Sequence, residues 1–245
     1  MNKIKLLSVA GFLSAAIFTG GCATDGNSDY SRVLNDVLTG YGETSLTQGE
    51  IASGLKEALT VGSDRVVTQL ATTDGYFGDD LIRIPLPEDL QKIQKNLAKV
   101  GLSGPLDDLD LKINRAAESA APTAKKLVVD AVSSMTIDDA LGILNGGNTA
   151  ATDFLKAKTS DQLISAFRPY MDTALAESGA VSAMDSVGRK YLPSAMVTQL
   201  RTDLETHAVN GALDGMFYYL AQEEKAIRED PVKRTTELLR RVFGG

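Results

Sequence analysis

The sequence predicts an all-α protein, a compact bundle of roughly eight helices following an export signal and a short tether. Three observations lead there. Apolar residues recur at three- and four-residue spacings through most of the chain. No stretch alternates apolar and polar residues between turn residues, as a half-buried strand would. The periodic segments are opened by Ser/Thr-x-x-Glu/Gln/Asp pairs or by proline and are closed by glycine.

The N-terminus is read first as an address. Lys3 and Lys5 precede a nearly unbroken apolar run from Leu6 to Phe18, and Gly20-Gly21-Cys22 follows. Positive, apolar, small is the order of a secretory signal, and the run is too short for the ~20 apolar residues of a spanning helix. The chain's one cysteine stands where the cut would fall. Residues 18–22 thus resemble the lipobox of bacterial lipoproteins, with Thr19 where an aliphatic residue is usual. The resemblance implies a diacylglycerol on the Cys22 thiol and further acylation of its amine; two or more chains anchor stably where one is marginal. Ala23 in place of aspartate implies the outer membrane, facing the periplasm. The expected boundaries are 1–21 for the signal, 22–45 for the lipidated N-terminus and tether with a possible short helix, and 46–245 for the helical domain.

In the domain, Ser45 with Gln48 and Thr47 with Glu50 each fit a capping box before a helix carrying Ile51, Leu55, Leu59, Val66 and Leu70. Thr72 to Asp80 is turn-like. Arg83-Ile84-Pro85-Leu86-Pro87 is extended, because each proline disfavours helix in the residue before it. Pro87-Glu88-Asp89 opens a helix with Leu90, Ile93, Leu97 and Val100 on its face, and Gly101 ends it. Pro105 starts a long, alanine-rich helix that Pro122 should break or kink. Thr136 with Asp139 starts a short helix running to Gly146-Gly147. Thr159 with Gln162 starts another, with Leu163, Phe167, Tyr170, Met171, Ala174 and Leu175 inward. Shorter pieces fill Val181 to Leu192. Asp203 opens the last long helix, which stops at Asp230-Pro231, and a terminal helix runs to Phe243.

Composition narrows the function. Loss of Lys3 and Lys5 with the signal takes 25 basic residues to 23 against 32 acidic ones, a net of −9. With no strong segregation of charge in the sequence, the acidic domain is poorly suited to nucleic acid or to anionic lipid surfaces, and neither is expected as its partner. With Cys22 lipidated, no thiol remains for disulfides, metal or catalysis. The one histidine, His207, has no Gly-x-Ser-x-Gly elbow to serve. Asp203 and His207 share a helix face with Asp214 roughly on the same side, a spacing that permits a metal site. The paired Glu-x-x-His pattern of helical di-metal bundles is absent, so neither metal nor other cofactor is expected.

Four segments carry a family resemblance: Phe77-Gly78 leading to Arg83-Ile84-Pro85-Leu86-Pro87; Asn114-Arg115-Ala116-Ala117-Glu118 with Ala121-Pro122; Thr136-Ile137-Asp138-Asp139-Ala140 leading to Gly146-Gly147; and Ala212-Leu213-Asp214-Gly215-Met216-Phe217 with Glu223 to Arg228. Together they resemble the bacterial domain-of-unknown-function family 4197 over about Leu46 to Phe243. The resemblance implies export, size and helical character and transfers no reaction. Arg83, Arg115, Glu118, Glu223, Glu224 and Arg228 lie in these segments and form the candidate polar cluster. Glu223-Glu224 reads first as a solvated face, with Glu224–Arg228 and Lys225–Glu229 pairing along it; alternatively one of the glutamates faces Arg115 or Arg83 across a groove.

The functional expectation is a lipid-anchored, periplasm-facing envelope protein that binds a protein partner or an apolar small molecule, in a groove with Phe217, Tyr218 and Tyr219 as candidate lining. The alternatives are an enzyme using the Arg/Glu cluster for acid–base chemistry, and a purely structural assembly factor.

Overall fold

The computed structural model describes residues 46–183, 194–230, 240 and 242, and these belong to one compact unit, Leu46–Gly245. The lipobox, Cys22 and the tether lie outside the described residues, as do most of the positions expected to form the short pieces before Leu192 and the terminal helix. Among the described residues every regular element is helical. They are α1 (Gln48–Leu70), α2 (Glu88–Ala98), α3 (Gly104–Ser134), α4 (Ile137–Leu144), α5 (Ala150–Ala176) and α6 (Ser194–Glu229), with a helical segment starting at residue 179.

Local chemistry sets several of the ends. Of the two candidate boxes at the start of α1, the Thr47 hydroxyl accepts from the Glu50 N–H (3.2 Å) while the Glu50 carboxylate accepts from the Thr47 N–H (2.9 Å). Thr136 and Asp139 make the same reciprocal pair on α4. Gly101, at φ +74°, closes the turn after α2, a backbone conformation that favours glycine.

Three sequence expectations are corrected. Pro122 does not break α3, which runs on to Ser134. Ala117, Ala120, Ala121 and Ala124 are wholly buried on either side of it, and that packing outweighs the missing N–H. Thr159 caps nothing. It lies inside α5, which starts nine residues earlier, and its hydroxyl donates to the Leu155 carbonyl (2.7 Å). Asp203 is likewise interior to α6, accepting from Gln199 (2.7 Å). In both places a Ser/Thr/Asp residue with a helix-type hydrogen bond imitates a start signal.

The largest helix–helix interface joins α3 to α5; α1 packs along both α3 and α6, and α6 closes over α5. The core runs from Leu55 and Leu70 through Ile113, Val128, Leu155, Leu163, Phe167 and Met171 to Met216. The α2 helix stands apart. It touches chiefly α3, and no residue of it is buried. The turn-and-strap segment between α1 and α2 does the reverse. Tyr76, Ile82, Ile84 and Leu86 are buried, and Gly211 and Gly215 of α6 make room for it. A Cβ on Gly211 would lie 2.8 Å from Ile84 Cγ2, and one on Gly215 would lie 2.9 Å from Tyr76 Cε1.

Candidate functional site

The candidate polar residues fall into separate clamps. Asp110, Asn114 and Glu118 succeed one another at four-residue intervals on one face of α3, and all three are buried. The Glu118 Oε1 accepts the N–H groups of Tyr76 and Phe77 (3.1 and 3.2 Å), and Oε2 accepts from Arg115 (2.7 Å). Asn114 pairs with Ile84 as a strand neighbour would, accepting from its N–H (2.8 Å) and donating to its carbonyl (2.9 Å). Arg83 pairs with Asp110 and lies over the Phe77 ring at 4.2 Å, with Arg115 at 5.7 Å from the same ring. Arg115 also binds Asp74 (2.7 Å), which sits at φ +67°. Glu118 and Asp74 hold the Arg115 guanidinium protonated, raising its pKa. Arg83, Arg115 and Glu118 are thus gathered around the strap.

Glu223, Glu224 and Arg228 form no ion pair with that group. Glu223 pairs with Arg65 of α1 (2.7 Å). Glu224 is buried. Its carboxylate accepts the N–H groups of Ala151 and Thr152 (both 2.9 Å) and the Thr152 hydroxyl (2.8 Å), and Arg228 pairs with it (2.8 Å). Arg228 in turn donates to the carbonyls of Ile143 (2.9 Å) and Leu144 (3.4 Å). The solvated-face reading therefore fails for Glu224, because the open N-terminus of α5 lies directly beneath it. Glu229, expected to pair with Lys225, accepts from Asn148 (3.1 Å).

These carboxylates and guanidinium groups are occupied in fixing chain reversals. A hollow of about 410 Å³ between α3 and α5 includes Lys112, Arg115, Tyr170 and Glu177 in its wall. Its Arg115 already binds two carboxylates, Lys112 donates to the Glu177 carbonyl (2.5 Å), and Tyr170 shares a hydrogen bond with Thr123 (3.1 Å). Tyr170, expected inward, is therefore at the surface. His207 shares a 2.7 Å hydrogen bond with the Pro85 carbonyl, and Asp214 lies 3.7 Å from Lys156, so the spacing that suggested a metal does not converge. Among the described residues no group of three or more His, Cys, Asp or Glu side chains is placed to hold a metal ion.

One hollow among the described residues has an almost wholly apolar wall. A groove of about 460 Å³ lies between α2, the start of α3, the segment at 180–183 and α6. Its wall includes Leu90, Ile93 and Leu97, Leu106 and Leu109, Val181, and Leu204. Beside it, sharing Leu90 and Leu204, a second hollow of about 370 Å³ is bounded by Asp89, Leu200, Asp203 and His207. Sequence periodicity placed Leu90, Ile93 and Leu97 on one helix face; it could not show that α3 covers that face only in part. The aromatic run does not contribute. Phe217 is buried in the core, the Tyr219 hydroxyl donates to Asp79 of the strap, and Tyr218 stands half-exposed against the Tyr219 ring edge-on at 5.3 Å.

The fold and the groove define a class of protein: an all-α bundle with an apolar cleft along one weakly packed helix. The chain belongs to the family described as a protein of unknown function, DUF4197, whose model matches residues 45–244. Neither a curated protein nor a solved structure matches the chain. The segments that carried the family resemblance include the Arg83–Pro87 part of the strap, Asn114 and Glu118 of its α3 clamp, Gly215 of α6 and the Glu224–Arg228 pair.

Proposed function

We propose that the protein is a lipid-anchored envelope protein, attached through Cys22 and facing the periplasm, whose helical domain binds one apolar chain in the groove beneath α2. The observation that carries the binding reading is the groove itself, with leucine, isoleucine and valine from several elements around a space of ligand size. The engagement of Arg83, Arg115, Glu118 and Glu224 in structural hydrogen bonds supports binding over acid–base catalysis. The lipobox-like sequence supports the anchor.

The domain from Ala23 onward, purified from a periplasm without denaturation, should carry an apolar or amphiphilic adduct in native mass spectrometry. An apo mass, together with failure of a fluorescent long-chain probe to bind, would remove the groove reading. Incorporation of radiolabelled palmitate into the full chain, lost in Cys22→Ser, tests the anchor separately; unlabelled wild-type chain would remove it.

A further inference from the structure

Nine large apolar side chains are exposed among the described residues. Five of them, Ile93, Val100, Leu102, Met196 and Leu200, lie on α2, the turn after it and the first turns of α6, so this is where most of the uncovered apolar surface gathers. Val100 and Leu102, 66% and 63% exposed, are not part of the groove wall, and neither is Leu200. Leu200 bounds the second hollow, with Pro87, Asp89 and Leu90. The α2 helix thus has exposed apolar residues just past its C-terminal end and a recess beside its N-terminal end. Charge divides along it in the same sense. Glu88 and Asp89 occupy the first turn, Lys95 the last, and Lys99 the cap. Lys92 lies between and pairs with Asp89 (3.0 Å). Glu88, Lys95 and Lys99 make no ion pair among the described residues; Lys99 donates to the Asn96 side chain (3.1 Å). The nearby acids of α3 are engaged, since Asp107 accepts from Gln94 (2.7 Å) and Asp108 pairs with Lys112 (3.4 Å). Acid first and base last suits the helix dipole within one chain, but it leaves opposite charges facing solvent at the two ends.

A two-fold interface sets residue i against j and j against i. A helix with base and apolar residues at one end, and acid and a recess at the other, is therefore its own complement when it crosses its copy antiparallel. We infer that α2 and the turn through Leu102 form the surface through which two copies of this chain associate, with their α2 helices antiparallel. Val100 and Leu102 of each copy enter the hollow bounded by Pro87 and Leu200 of the other, and Lys95 and Lys99 of each face Glu88 and Asp89 of the other. A second copy supplies the cover that α2 lacks, since no residue of α2 is buried within its own chain. Pro87, Val100, Leu102 and Leu200 are not part of the groove wall, so the inference does not depend on what the groove holds. An interface built on one eleven-residue helix and the turn after it is small, and the dimer is accordingly weak and concentration-dependent.

The test is sedimentation velocity of the unlipidated chain from Ala23, which contains the whole core and has no cysteine to link copies covalently. Dimer should accumulate with rising concentration and recede with added salt. A Glu88→Lys, Asp89→Lys variant and a Lys95→Glu, Lys99→Glu variant should each dimerise more weakly by roughly tenfold or more, because symmetry applies every change twice. An equimolar mixture of the two should dimerise again, since each now carries one sign at both ends of α2. A variant that had merely lost α2 would not recover on mixing, so this arm separates interface from folding. Val100→Asp, Leu102→Asp should stay monomeric with an unchanged circular dichroism melt, and Ile137→Asp, which alters an exposed residue beyond the other end of α3, should dimerise as the parent does. A monomer at every concentration, a dimer indifferent to these changes, or no recovery in the mixture would overturn the inference. So would loss of the dimer in Ile137→Asp, which would put the interface elsewhere. Binding of a soluble long-chain probe by the Val100/Leu102 variant reads the groove separately, so either reading can fail without the other.

Discussion

Glu224 and Arg228, one turn apart on α6, hold the two sides of one chain reversal: the glutamate accepts the first N–H groups of α5, and the arginine donates to the last carbonyls of α4. The side chains are only 6% and 12% exposed. Removing one partner strands the other charge and uncaps a helix. Glu224→Ala should therefore destabilise the domain by about 3–5 kcal/mol in urea titration, the usual penalty for breaking a buried pair. Glu224→Gln, which keeps one acceptor, should cost less. Equal effects of the two would mean that the charge matters more than the cap.

The close approach of the strap to α6 predicts opposite signs for chemically identical changes. Gly→Ala inside a helix ordinarily stabilises by about 0.5–1 kcal/mol. Gly142 of α4 has open space around its would-be Cβ and should show that gain. At Gly211 and Gly215 the new methyl would collide with Ile84 or Tyr76, and overpacking of this kind costs about 1–3 kcal/mol. Thermal melts of Gly142→Ala, Gly211→Ala and Gly215→Ala should rise, fall and fall.

Two tyrosines should titrate above the usual range of a phenol. The hydrogen bond from the Tyr219 hydroxyl to the Asp79 carboxylate, reinforced by burial, raises its pKa from 10.0 to about 12. Burial, then the nearby Glu118 charge, pushes Tyr76 further up. A folded-state pKa above the unfolded one contributes stability that is complete below pH 10 and lost as pH rises; for Tyr219 the window is about pH 10 to 12. Alkaline titration at the tyrosinate absorption band should show Tyr219 late and Tyr76 ionising only with unfolding. In Tyr219→Phe the late step should vanish. Its persistence would assign that step elsewhere.

The helical class, both observed capping boxes, the non-helical strap, the Pro87 start of α2 and the end of α6 before Asp230 were legible because each depends on residues close in sequence. What sequence reasoning missed depends on what lies across the space. Ala120 and Ala124 bury Pro122 in a continuous helix, although proline alone reads as a break. Glu224 reads as surface beside Glu223 until the N-terminus of α5 is placed beneath it. Arg83, Arg115 and Glu118 stood among the six candidate polar residues, and Glu118 does pair with Arg115, yet the other partners, Asp110 and Asp74, carried no signal beyond being acidic. Asn114, wholly buried, could have been suspected, since an amide in an alanine-rich stretch needs partners. The groove was the least legible: it is a place where α2 is incompletely covered, and coverage is a property of neighbours.

The chain contains no tryptophan, so a single one introduced in the groove reports on that site alone. Ile93 is suited to it: it lines the groove, yet is about half exposed, so the larger ring can be accommodated without displacing the core. Ile93→Trp should fold with an unchanged far-ultraviolet spectrum and emit at an intermediate wavelength. A long-chain alcohol entering the groove removes water from the ring, so emission should shift to the blue and saturate at one equivalent. A second variant separates occupancy from mere surface contact. Leu109→Trp places the ring deeper, where the parent side chain is almost fully buried, and should itself fill the space. It should emit blue without ligand and lose affinity for the alcohol. If Ile93→Trp does not respond, or responds without saturating, the groove is not a binding site for a single apolar chain.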